Sequence, residues 1–582
     1  MLRAAVTTDP FVALVPVFAA AFGRAFGPAW SGVDPVLRRS SHADVQANGV
    51  LALRGRIPGN PRELAEAVRR ELAGDERLER VEVAGPGFLN LTLRSSYLDA
   101  LLADAAPTLG LAPGASETVV VDYSSPNLAK EMHVGHLRST IIGDCLVRVF
   151  EACGHRVIRQ NHLGDWGTPL GMLIEHLRDE RRLAVGGAID DLGAFYQAAR
   201  AKFDGDPAFA ERARQRVVAL QGGDPDTLAL WRGLVDATLA HVERVYARLG
   251  VKLERADVRG ESAYNALLPT VVDELAAAGL LRESDGALCA FPAGFASKEG
   301  TPLPLIVRKR DGGFGYAATD LAALRFRCGT LGATRLVYVV GAPQAQHLAM
   351  VFAVARAAGW LPEGARAEHV AFGSVLGRDG KMLKSRAGEN VKLAELLDEA
   401  VERARAIVDE KSPELPAAER AAIASAVGIG AVKYGDLASD RHRDYVFDWS
   451  RLLAFDGNTA PYLQYAHARI RSLLRKAGAE QAERARRQSA FRVSEPAERA
   501  LALGVLRFPT VVAEVAESLE PHRLATYLYE TATAFSGFYE SCPVLRAPDD
   551  ATREHRLALA ALTARVLARG LDLLGIDAPA RM

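Results

Sequence analysis

Short apolar strands that alternate with amphipathic helices are the feature that most limits the possible folds of this chain. The strands are predicted at Val119–Tyr123, Arg156–Arg159, Arg335–Gly341 and His369–Gly373, and the helices at Ile141–Cys153 and His347–Ala358. This alternation is typical of a Rossmann-like, doubly wound parallel sheet. About 170 residues with polar turns and helical segments separate the first strand pair from the second. We therefore expect an α/β sheet domain that carries an insertion at about residues 170–300.

The sequence on either side of this region predicts two further domains, which a chain of 582 residues can accommodate. A helical pattern at Pro61–Leu72 precedes two strands within Val81–Leu93 that are joined by a Gly-Pro-Gly turn. From about Leu393 the chain is nearly all helical. We place a small α+β domain at residues 1–112, the sheet domain at residues 113–445 and an all-helical domain at residues 446–582.

Charge and cysteine content exclude several classes of protein. The 71 Lys and Arg residues balance 71 Asp and Glu residues, whereas a protein that coats nucleic acid indiscriminately is usually strongly basic. Five scattered cysteines without Cys-x-x-Cys spacing predict reduced thiols, a cytoplasmic location and no zinc cluster. The apolar stretch Phe11–Phe22 is interrupted by Pro16, and it predicts a buried helix in preference to a signal peptide or a membrane span.

The first motif that carries chemistry is His133-Val-Gly-His136, which follows a predicted strand and opens a predicted helix. A helix N-terminus has free N–H groups and a positive dipole, and both favour phosphate oxygens. His133 and His136 share one helix face, and Gly135 lets a flat ring such as adenine approach the backbone. The alternative is that both histidines serve only local hydrogen bonds.

The second motif, Lys381-Met-Leu-Lys-Ser385, lies in a loop opened by Gly377 and Gly380. Two lysines beside glycines can reach a triphosphate and stabilise the charge that develops as pyrophosphate leaves. The loop follows the last predicted strand of the sheet, where a doubly wound fold places its binding crevice. The two motifs together therefore predict a site for a nucleoside triphosphate.

The two motifs resemble the His-Ile-Gly-His and Lys-Met-Ser-Lys-Ser signatures of class I aminoacyl-tRNA synthetases. Similarity to the arginyl-tRNA synthetase family in particular is carried by Val121–Thr140, Asn161–Gly167, Gly315–Asp320, Lys384–Gly388, Gly457–Arg469 and Gly575–Met582. The chain departs from the signature at Leu383, where the family has Ser, so the loop loses a hydroxyl and keeps both lysines. The resemblance implies an N-terminal domain that contacts the tRNA elbow, a Rossmann-like catalytic domain and a helical anticodon-binding domain.

The resemblance also implies which residues hold arginine. The matching positions are Asp122, Asn127, Tyr316, Asp320 and Gln344. Acidic and neutral acceptors suit a guanidinium, which is a planar fork of five donors. Each position has a structural alternative: Asn127 as a turn residue, Tyr316 as a core residue and Gln344 as a loop residue. Asp320 has another, as the N-cap of a helix that begins at Leu321.

The implied reaction has two steps. Arginine and ATP form arginyl-adenylate and pyrophosphate, and the arginyl group then passes to the 3′-terminal adenosine of the tRNA. The resemblance assigns catalysis to His133, His136, Lys381 and Lys384, and ATP binding to His133, Gly135, His136, Lys381, Met382, Lys384 and Ser385. We expect Mg²⁺ to accompany ATP without a dedicated protein cage, and we assign no metal ligand.

The helical region contains a basic stretch, Arg469–Arg492, which has eight Arg and Lys residues but only two Glu residues. In a tRNA-binding domain we expect such a stretch to meet phosphates, and the alternative is a solvated helix face. Two nearby tyrosines are candidates for stacking on unpaired bases. The predicted tRNA contacts are Tyr462, Tyr465, Arg469, Arg484, Arg486 and Arg487.

The expected partners are therefore L-arginine, ATP and the tRNA for arginine, with no membrane. We expect a monomer, because no heptad pattern or large apolar stripe indicates a dimer. Two other functions stay open: a catalytically silent regulator that binds tRNA, and a class I synthetase for glutamine or glutamate. The presence of both signatures disfavours the first, and the acidic residues of the predicted pocket disfavour an acidic substrate.

Overall fold

The computed structural model describes residues 8–40, 42–114, 116–128, 131–180, 192–383, 391–488 and 490–582. The N-terminal region contains the strands β1 (Leu37–Arg38), β2 (Val45–Ala47), β3 (Leu78–Ala84) and β4 (Phe88–Leu93), the helices α1 (Pro10–Ala13), α2 (Val15–Phe26), α3 (Pro61–Leu72) and α4 (Ser95–Ala105), and 3-10 turns at Pro28–Trp30 and Gly49–Leu53. The strands form one antiparallel sheet in the order β1-β2-β4-β3. A small α+β unit is present, as predicted.

Local sequence explains where the helices of this unit begin. Asn60 caps α3: its Oδ1 accepts a 3.0 Å bond from the N–H of Glu63, and the Glu63 carboxylate accepts one of 3.0 Å from the N–H of Asn60. Pro61 suits the first helical position because its fixed φ is already helical. Phe18 and Phe22 of α2 are fully buried, which confirms the buried helix predicted near the N-terminus.

The middle region contains the elements of the sheet and of its insertion. Its strands are β5 (Thr118–Asp122), β6 (Arg156–Gln160), β7 (Leu281–Ser284), β8 (Ala287–Ala290), β9 (Leu305–Arg308), β10 (Arg335–Tyr338), β11 (Arg366–His369), β12 (Val375–Leu376) and β13 (Tyr445–Val446). Its helices are α5 (Val134–Ala152), α6 (Thr168–Asp179), α7 (Leu192–Gly205), α8 (Pro207–Gln221), α9 (Pro225–Leu249), α10 (Leu268–Ala277), α11 (Tyr316–Gly329), α12 (Ala345–Ala357), α13 (Leu393–Lys411) and α14 (Ala417–Leu437), with 3-10 turns at Arg255–Asp257, Glu261–Leu267 and Ala342–Gln344.

The central sheet is parallel, and its strand order is β11-β10-β5-β6. In chain order, β6 pairs with one side of β5 and β10 then pairs with the other side. The direction of the strand order therefore reverses between β5 and β10, and ligands of such sheets bind beyond the carboxyl ends of the strands at this point. Residues of β5 and β10 are almost all buried, as expected for parallel strands covered on both faces. The predicted doubly wound sheet is confirmed.

The chain between β6 and β10 builds two structures beside this sheet. Helices α6 to α9 pack around an apolar cluster that includes Leu173, Ala213 and Leu234. Strands β7, β8 and β9 form a separate antiparallel sheet. The parallel sheet is thus interrupted by an insertion, as predicted, whereas the exact limits of the insertion and of the domains stay predictions.

The C-terminal region is helical. It contains α15 (Trp449–Leu452), α16 (Ala460–Ala477), α17 (Ala479–Arg487), α18 (Pro496–Leu506), α19 (Phe508–Ser518), α20 (His522–Ser541) and α21 (Asp550–Leu573). Helix α18 contacts α4 of the N-terminal region, and α19 and α21 contact α5 of the sheet region. Among the described residues, no helix combines the length and the apolar character needed to cross a membrane.

A junction of buried charges connects these regions behind the sheet. Lys433 of α14 is buried, and its Nζ donates to the backbone oxygens of Leu249 and Gly575. Arg148 of α5 donates a 3.0 Å bond to the Asp572 carboxylate. The far end of α5 is therefore supported by segments that lie hundreds of residues later in the sequence.

Two predicted elements differ from the structure at their ends. Helix α5 begins at Val134, at the histidine motif that was predicted to open a helix. Its apolar spacing is visible only from Ile141, because the polar residues Arg138, Ser139 and Thr140 hide the pattern although they are buried. Strand β11 covers Arg366–His369 and not residues 369–373. It is an edge strand, and edge strands tolerate charged residues that a search for apolar runs overlooks.

Candidate active site

The histidine motif caps the N-terminus of α5. His133 is the N-cap residue, and its Nδ1 accepts a 3.0 Å hydrogen bond from the backbone N–H of Gly135. Nδ1 of His136 accepts a 3.1 Å bond from the N–H of His133. The two ring centroids are 4.0 Å apart. The local hydrogen bonds of the alternative interpretation are therefore present.

These bonds also determine what the histidines offer to a ligand. Because each Nδ1 accepts, a neutral imidazole in either position carries its proton on Nε2. Nε2–H is a donor, and it belongs to a helix terminus whose dipole favours anions. Gly135 is exposed, and a Cβ atom there would lie 2.7 Å from Cε1 of His133. Local capping and phosphate binding are thus compatible roles for the motif.

The loop of the lysine motif begins as a tight turn after β12. The N–H of Gly377 donates to the oxygen of Lys381 at 2.8 Å, and the N–H of Leu383 donates to the oxygen of Val375 at 3.0 Å. Gly380 has a φ of +72°, which is a left-handed conformation that favours glycine. The turn therefore depends on glycine at position 380 of the predicted loop opening.

The side chains of this loop divide between solvent and core. Lys381 is exposed and Met382 is 50% exposed. Leu383, which replaces the Ser of the family signature, packs against the main apolar core. A buried contact of the leucine side chain thus takes the place of the lost hydroxyl. Lys384 and Ser385 lie outside the described residues, so their predicted roles stay predictions.

Asp122 ends β5 and holds an arginine of the chain itself. Its Oδ2 accepts a 2.7 Å bond from Arg327, and its Oδ1 accepts a 3.1 Å bond from the hydroxyl of Ser125. The side chains of Asp122 and Arg327 are buried. Burial alone would raise the pKa of Asp122, but Arg327 and the nearby His162 hold that pKa below its usual value. Asp122 is therefore ionised and paired.

Arg327 connects the ends of three neighbouring strands. Its Nε donates a 2.7 Å bond to Oε1 of Gln160, and its guanidinium lies 5.0 Å from the ring centroid of Tyr338. Gln160, Asp122 and Tyr338 are the last residues of β6, β5 and β10. The observed contacts make Asp122 a support for the strand ends, and its direct contact with substrate arginine stays a prediction.

Tyr316 and Asp320 lie on the first two turns of α11. The helix begins at Tyr316 with Gly315 as its N-cap, so the alternative role of Asp320 as an N-cap is wrong. Tyr316 is 75% exposed, so its alternative role in the core is wrong as well. Because α11 leads into β10, its first turns lie at the carboxyl edge of the sheet. There, Oδ2 of Asp320 is 2.6 Å from Nε2 of His347 on α12.

The two remaining arginine candidates lie on loops at the same edge. Gln344 is exposed at the end of the 3-10 turn that follows β10. Asn127 is exposed in the loop after β5, and its backbone pairs with Gly164 in the loop after β6. The structure thus brings the ends of β5, β6 and β10 and the start of α11 to one edge, and the five candidates lie there. Their contacts with arginine stay predictions.

Two carboxylates that the sequence analysis did not select lie at this edge. The N–H of Glu261 donates to the oxygen of Leu163 at 3.1 Å, and Asp165 accepts bonds of 2.8 and 2.6 Å from Ser262. Burial, together with the charges of Asp165 and Asp320, raises the pKa of Glu261 to about 8. A cation would relieve this repulsion. No motif or spacing in the sequence connects Glu261 with the strand ends, so nothing pointed to it.

The predicted base-stacking residues lie on α16. Tyr465 is 45% exposed, whereas Tyr462 is half-buried with its ring centroid 5.6 Å from that of Tyr529. The guanidinium of Arg469 lies 4.2 Å from the ring centroid of Tyr539. Tyr465 is therefore the more accessible of the two tyrosines, and the other two side chains already have aromatic partners.

The predicted phosphate-binding arginines lie in the last turn of α17, each beside a glutamate. Arg484 is 2.7 Å from Glu554, Arg487 is 2.7 Å from Glu483, and Arg486 is 3.4 Å from the same Glu483. Exposed pairs of this kind contribute little to stability, so a phosphate can replace the glutamate partner. Their contact with tRNA stays a prediction.

Comparison with known proteins assigns the three regions of the chain to domains of the family that the sequence motifs resemble. The family described as tRNA synthetases class I (R), catalytic domain, matches residues 98–449. The DALR anticodon binding domain matches residues 463–582, and the arginyl tRNA synthetase N terminal domain matches residues 16–93. The arginine–tRNA ligase of Thermobifida fusca is 53% identical over 99% of this chain and 100% of its own length. That of Frankia casuarinae is 52% identical over 95% of this chain and 96% of its own length.

Solved structures show the same similarity in three dimensions. The crystal structure of arginyl-tRNA synthetase from Plasmodium falciparum has a TM-score of 0.83 and 27% identity and covers 98% of both chains. The Thermus thermophilus arginyl-tRNA synthetase has a TM-score of 0.78 and 28% identity and covers 98% of this chain and 99% of its own. The chain therefore belongs to the arginyl-tRNA synthetase family of class I aminoacyl-tRNA synthetases.

Proposed function

We propose that this chain is an arginine–tRNA ligase: it activates L-arginine with ATP and transfers the arginyl group to the 3′-terminal adenosine of its tRNA. One observation carries the proposal. The start of α5, with its two histidines, and a group of carboxylates that includes Asp320 and Glu261 lie at the carboxyl edge of the same parallel sheet. The helix start suits the phosphates of ATP, and the carboxylates suit a guanidinium.

In the first step the carboxylate of arginine attacks the α-phosphorus of ATP, and pyrophosphate leaves. We assign to Nε2–H of His133 and His136 the stabilisation of the negative charge that builds on the phosphates. Lys381 and Lys384 neutralise the leaving pyrophosphate, and ATP arrives as its magnesium complex. Gly135, Met382 and Ser385 complete the nucleotide site. Positioning and electrostatics supply most of the catalysis, since no group of the chain forms a covalent bond.

We assign the recognition of arginine to the acidic side of the crevice. Asp320 supplies the counter-charge of the guanidinium. Glu261, whose pKa is raised to about 8 by burial, Asp165 and Asp320, is largely protonated in the free protein at pH 7, and a bound cation favours its ionised form. Tyr316, Asn127 and Gln344 are exposed at the same edge and supply neutral contacts. This arrangement disfavours glutamate, because a second carboxylate in the pocket would be repelled.

In the second step a hydroxyl of the terminal adenosine attacks the carbonyl carbon of arginyl-adenylate, and AMP leaves. The helical region holds the anticodon end of the tRNA, with Tyr465 as the exposed ring for base stacking and the arginines of α17 for phosphates. A monomeric state and a cytoplasmic location also belong to the proposal, and sedimentation tests the first of them.

The test is ATP–pyrophosphate exchange with each amino acid, in the presence and absence of tRNA. We expect exchange with arginine and none above background with glutamine or glutamate. Exchange with another amino acid would assign the chain to a different specificity. A complete lack of exchange, together with retained tRNA binding, would instead favour the catalytically silent regulator.

A further inference from the structure

His347 and Asp320 form a close pair at the entrance of the acidic crevice. Nε2 of His347 lies 2.6 Å from Oδ2 of Asp320, and the two side chains are 29% and 25% exposed. Asp320 is on the second turn of α11, and His347 is on the first turn of α12. The second oxygen of the carboxylate, Oδ1, receives no hydrogen bond from the described part of the chain. The pair thus leaves one oxygen of the predicted guanidinium ligand available.

Asp320 is the group that controls the charge of His347. The hydrogen bond to Asp320 raises the pKa of His347, although partial burial acts in the opposite direction. Several charged or titratable groups lie on the elements packed against α12: Tyr316, Asp320, Arg325, Arg327 and Cys328 of α11, Arg308 of β9, and Arg366, Glu368 and His369 of β11. Of these, only Asp320 acts on the pKa of His347. Protonated His347 and ionised Asp320 therefore form a neutral pair.

The two arginines of α11 are already paired with other acids. Arg325 is 2.7 Å from Glu274, and Arg327 is 2.7 Å from Asp122. Besides His347, the charged neighbour of Asp320 from another element is an acid, Glu261, and not a cation. No other cation of α11 is therefore placed to take over the charge balance of Asp320 when His347 loses its proton.

We propose that His347 is a positioning residue for arginine recognition: it holds the Asp320 carboxylate in the substrate-free protein, and it releases its proton when the guanidinium of arginine binds. The inference rests on the proposed function, because it takes Asp320 as the ligand of substrate arginine. It adds to that function a residue, His347, and a coupling between substrate binding and proton release.

The direction of the coupling follows from the two cations. A guanidinium stays protonated at every relevant pH, whereas an imidazolium can lose its proton. When both face one carboxylate, their repulsion disfavours the imidazolium, so arginine binding lowers the pKa of His347 from its raised value. The free protein therefore binds more protons than the complex, and the affinity for arginine rises as the pH passes upward through that range. A difference of one pKa unit between the two states corresponds to about a tenfold change in affinity.

The test is calorimetric titration of the full-length protein with L-arginine between pH 5.5 and 7.5, in buffers of low and high ionisation enthalpy. Glu261, whose pKa is about 8, also loses its proton more readily beside a guanidinium, so the contribution of His347 is the difference in pH dependence between the wild type and His347→Gln. For the wild type we expect a Kd about threefold to tenfold tighter at pH 7.5 than at pH 5.5, on the scale set by about one pKa unit. The heats should also differ between the buffers by the release of a fraction of one proton.

Two variants complete the design. His347→Gln keeps an amide donor for Asp320 but cannot titrate, so the change of its Kd over the same range should be about threefold to tenfold smaller than that of the wild type, on the scale of about one pKa unit. His155→Gln is the matched control: His155 is a partly buried histidine at the opposite edge of the sheet, where it accepts from the N–H of Glu117. It should behave as the wild type.

The outcomes separate the inference from the proposed function. A pH-independent Kd in the wild type, or an unchanged pH dependence in His347→Gln, would overturn the role of His347 and leave arginine activation intact. If arginine binds to neither the free protein nor the protein with tRNA, the proposed function itself fails. A weaker pH dependence in His347→Gln alone, with kcat for aminoacylation retained, supports the inference.

Discussion

At the scale of single residues, the ion pair of Arg327 and Asp122 is the least expected feature of the site. Removing two charges from water costs several kcal/mol for each ion, and here the geometry compensates that cost. Asp122 also accepts from Ser125, and Arg327 also donates to Gln160. An arginine of the protein thus satisfies a carboxylate that was predicted to bind the substrate, and the strand ends are fixed relative to one another.

Arg327→Met is expected to lower the free energy of unfolding by about 3–5 kcal/mol at pH 7, because Asp122 is left buried and unpaired. In the wild type the lowered pKa of Asp122 stabilises the fold above the ordinary carboxylate pKa, and this contribution is lost as the pH falls through the lowered value. In the variant, burial acts alone and raises that pKa. The difference between the two proteins should therefore shrink between pH 7 and pH 5, as measured by unfolding in urea.

The matched control for this variant is Arg325→Met on the same helix. Arg325 pairs with Glu274, and both side chains are about a third exposed. Its loss should cost less than about 1 kcal/mol, the usual scale for exposed pairs. Equal effects of the two substitutions would contradict the structural role given to Arg327.

Asp320→Asn is expected to raise the KM for arginine without lowering the melting temperature. Asn has the same size, and Asp320 does not cap α11, so the fold should not suffer. Truncating the charge of such a pair costs about 2–5 kcal/mol, or roughly 30-fold to several-thousand-fold in affinity. Asp311→Asn, in the turn before α11 where Asp311 accepts from Gly313, is the control. A KM within about threefold of wild type, which is under 1 kcal/mol, would rule out Asp320 as the guanidinium ligand.

At the scale of elements, helix α5 shows how far sequence alone could go. Its existence and the histidine motif at its start were predictable, because both the apolar spacing and the motif are formed by residues that are close together in the sequence. The burial of its first turns was not predictable, because Arg138 is buried through a 3.1 Å bond to Asp436, which lies 298 residues away. Ser139 likewise donates to the oxygen of Val339. Only the folded chain brings such partners together.

Sequence alone was equally limited in predicting the acidic side of the crevice. Asp320 was predictable from a family motif, whereas Glu261 comes from the insertion and reaches the edge of the sheet through the backbone of Leu163. The partner of Asp320, His347, lay within a predicted helix but belongs to no motif. Residues that act through tertiary proximity alone leave no local signal.

Helix α17 gives a prediction about tRNA. Replacing Arg484, Arg486 and Arg487 by Ala should weaken tRNA binding and lower the slope of log K against log salt by about 2–3, since each phosphate contact contributes roughly 0.7–0.9. Arginine and ATP binding should not change. The measurement is filter binding of tRNA from 50 to 200 mM salt, roughly the range over which such slopes are resolved.

The control for the α17 variant must also remove three exposed, paired arginines. A suitable set is Arg200, Arg214 and Arg403, which pair with Asp204, Glu211 and Glu399. If this triple variant and the α17 variant show the same slope as the wild type, α17 is a solvated helix face and not a tRNA contact.

At the scale of the whole molecule, the buried junction at Lys433 should be detectable through pH. Burial lowers the pKa of Lys433 to about 8 from its ordinary 10.5, although Asp144 opposes the shift. The unfolded chain therefore binds more protons than the folded one between these values, and stability rises with pH in this window. Lys433→Met cannot titrate. The stability of the wild type relative to this variant should thus increase by about 1–3 kcal/mol from pH 8 to pH 10.

Urea unfolding at the two pH values measures this difference. The control is Lys476→Met, because Lys476 of α16 is exposed and should give the same difference from wild type at both pH values. A wild-type advantage that does not grow with pH would mean that Lys433 keeps an ordinary pKa inside the fold.

The same junction has a consequence for the synthesis of this chain on the ribosome. Arg148 of α5 and its partner Asp572 are 424 positions apart, and at roughly 5–20 residues per second this distance takes about 20–85 seconds to translate. During that time the histidine motif has left the ribosome, but the far end of its helix lacks its contact with α21. Catalytic competence should therefore appear late and abruptly, when the residues around α21 emerge. A message cut short before that point would yield chains that carry the signature motif without charging tRNA.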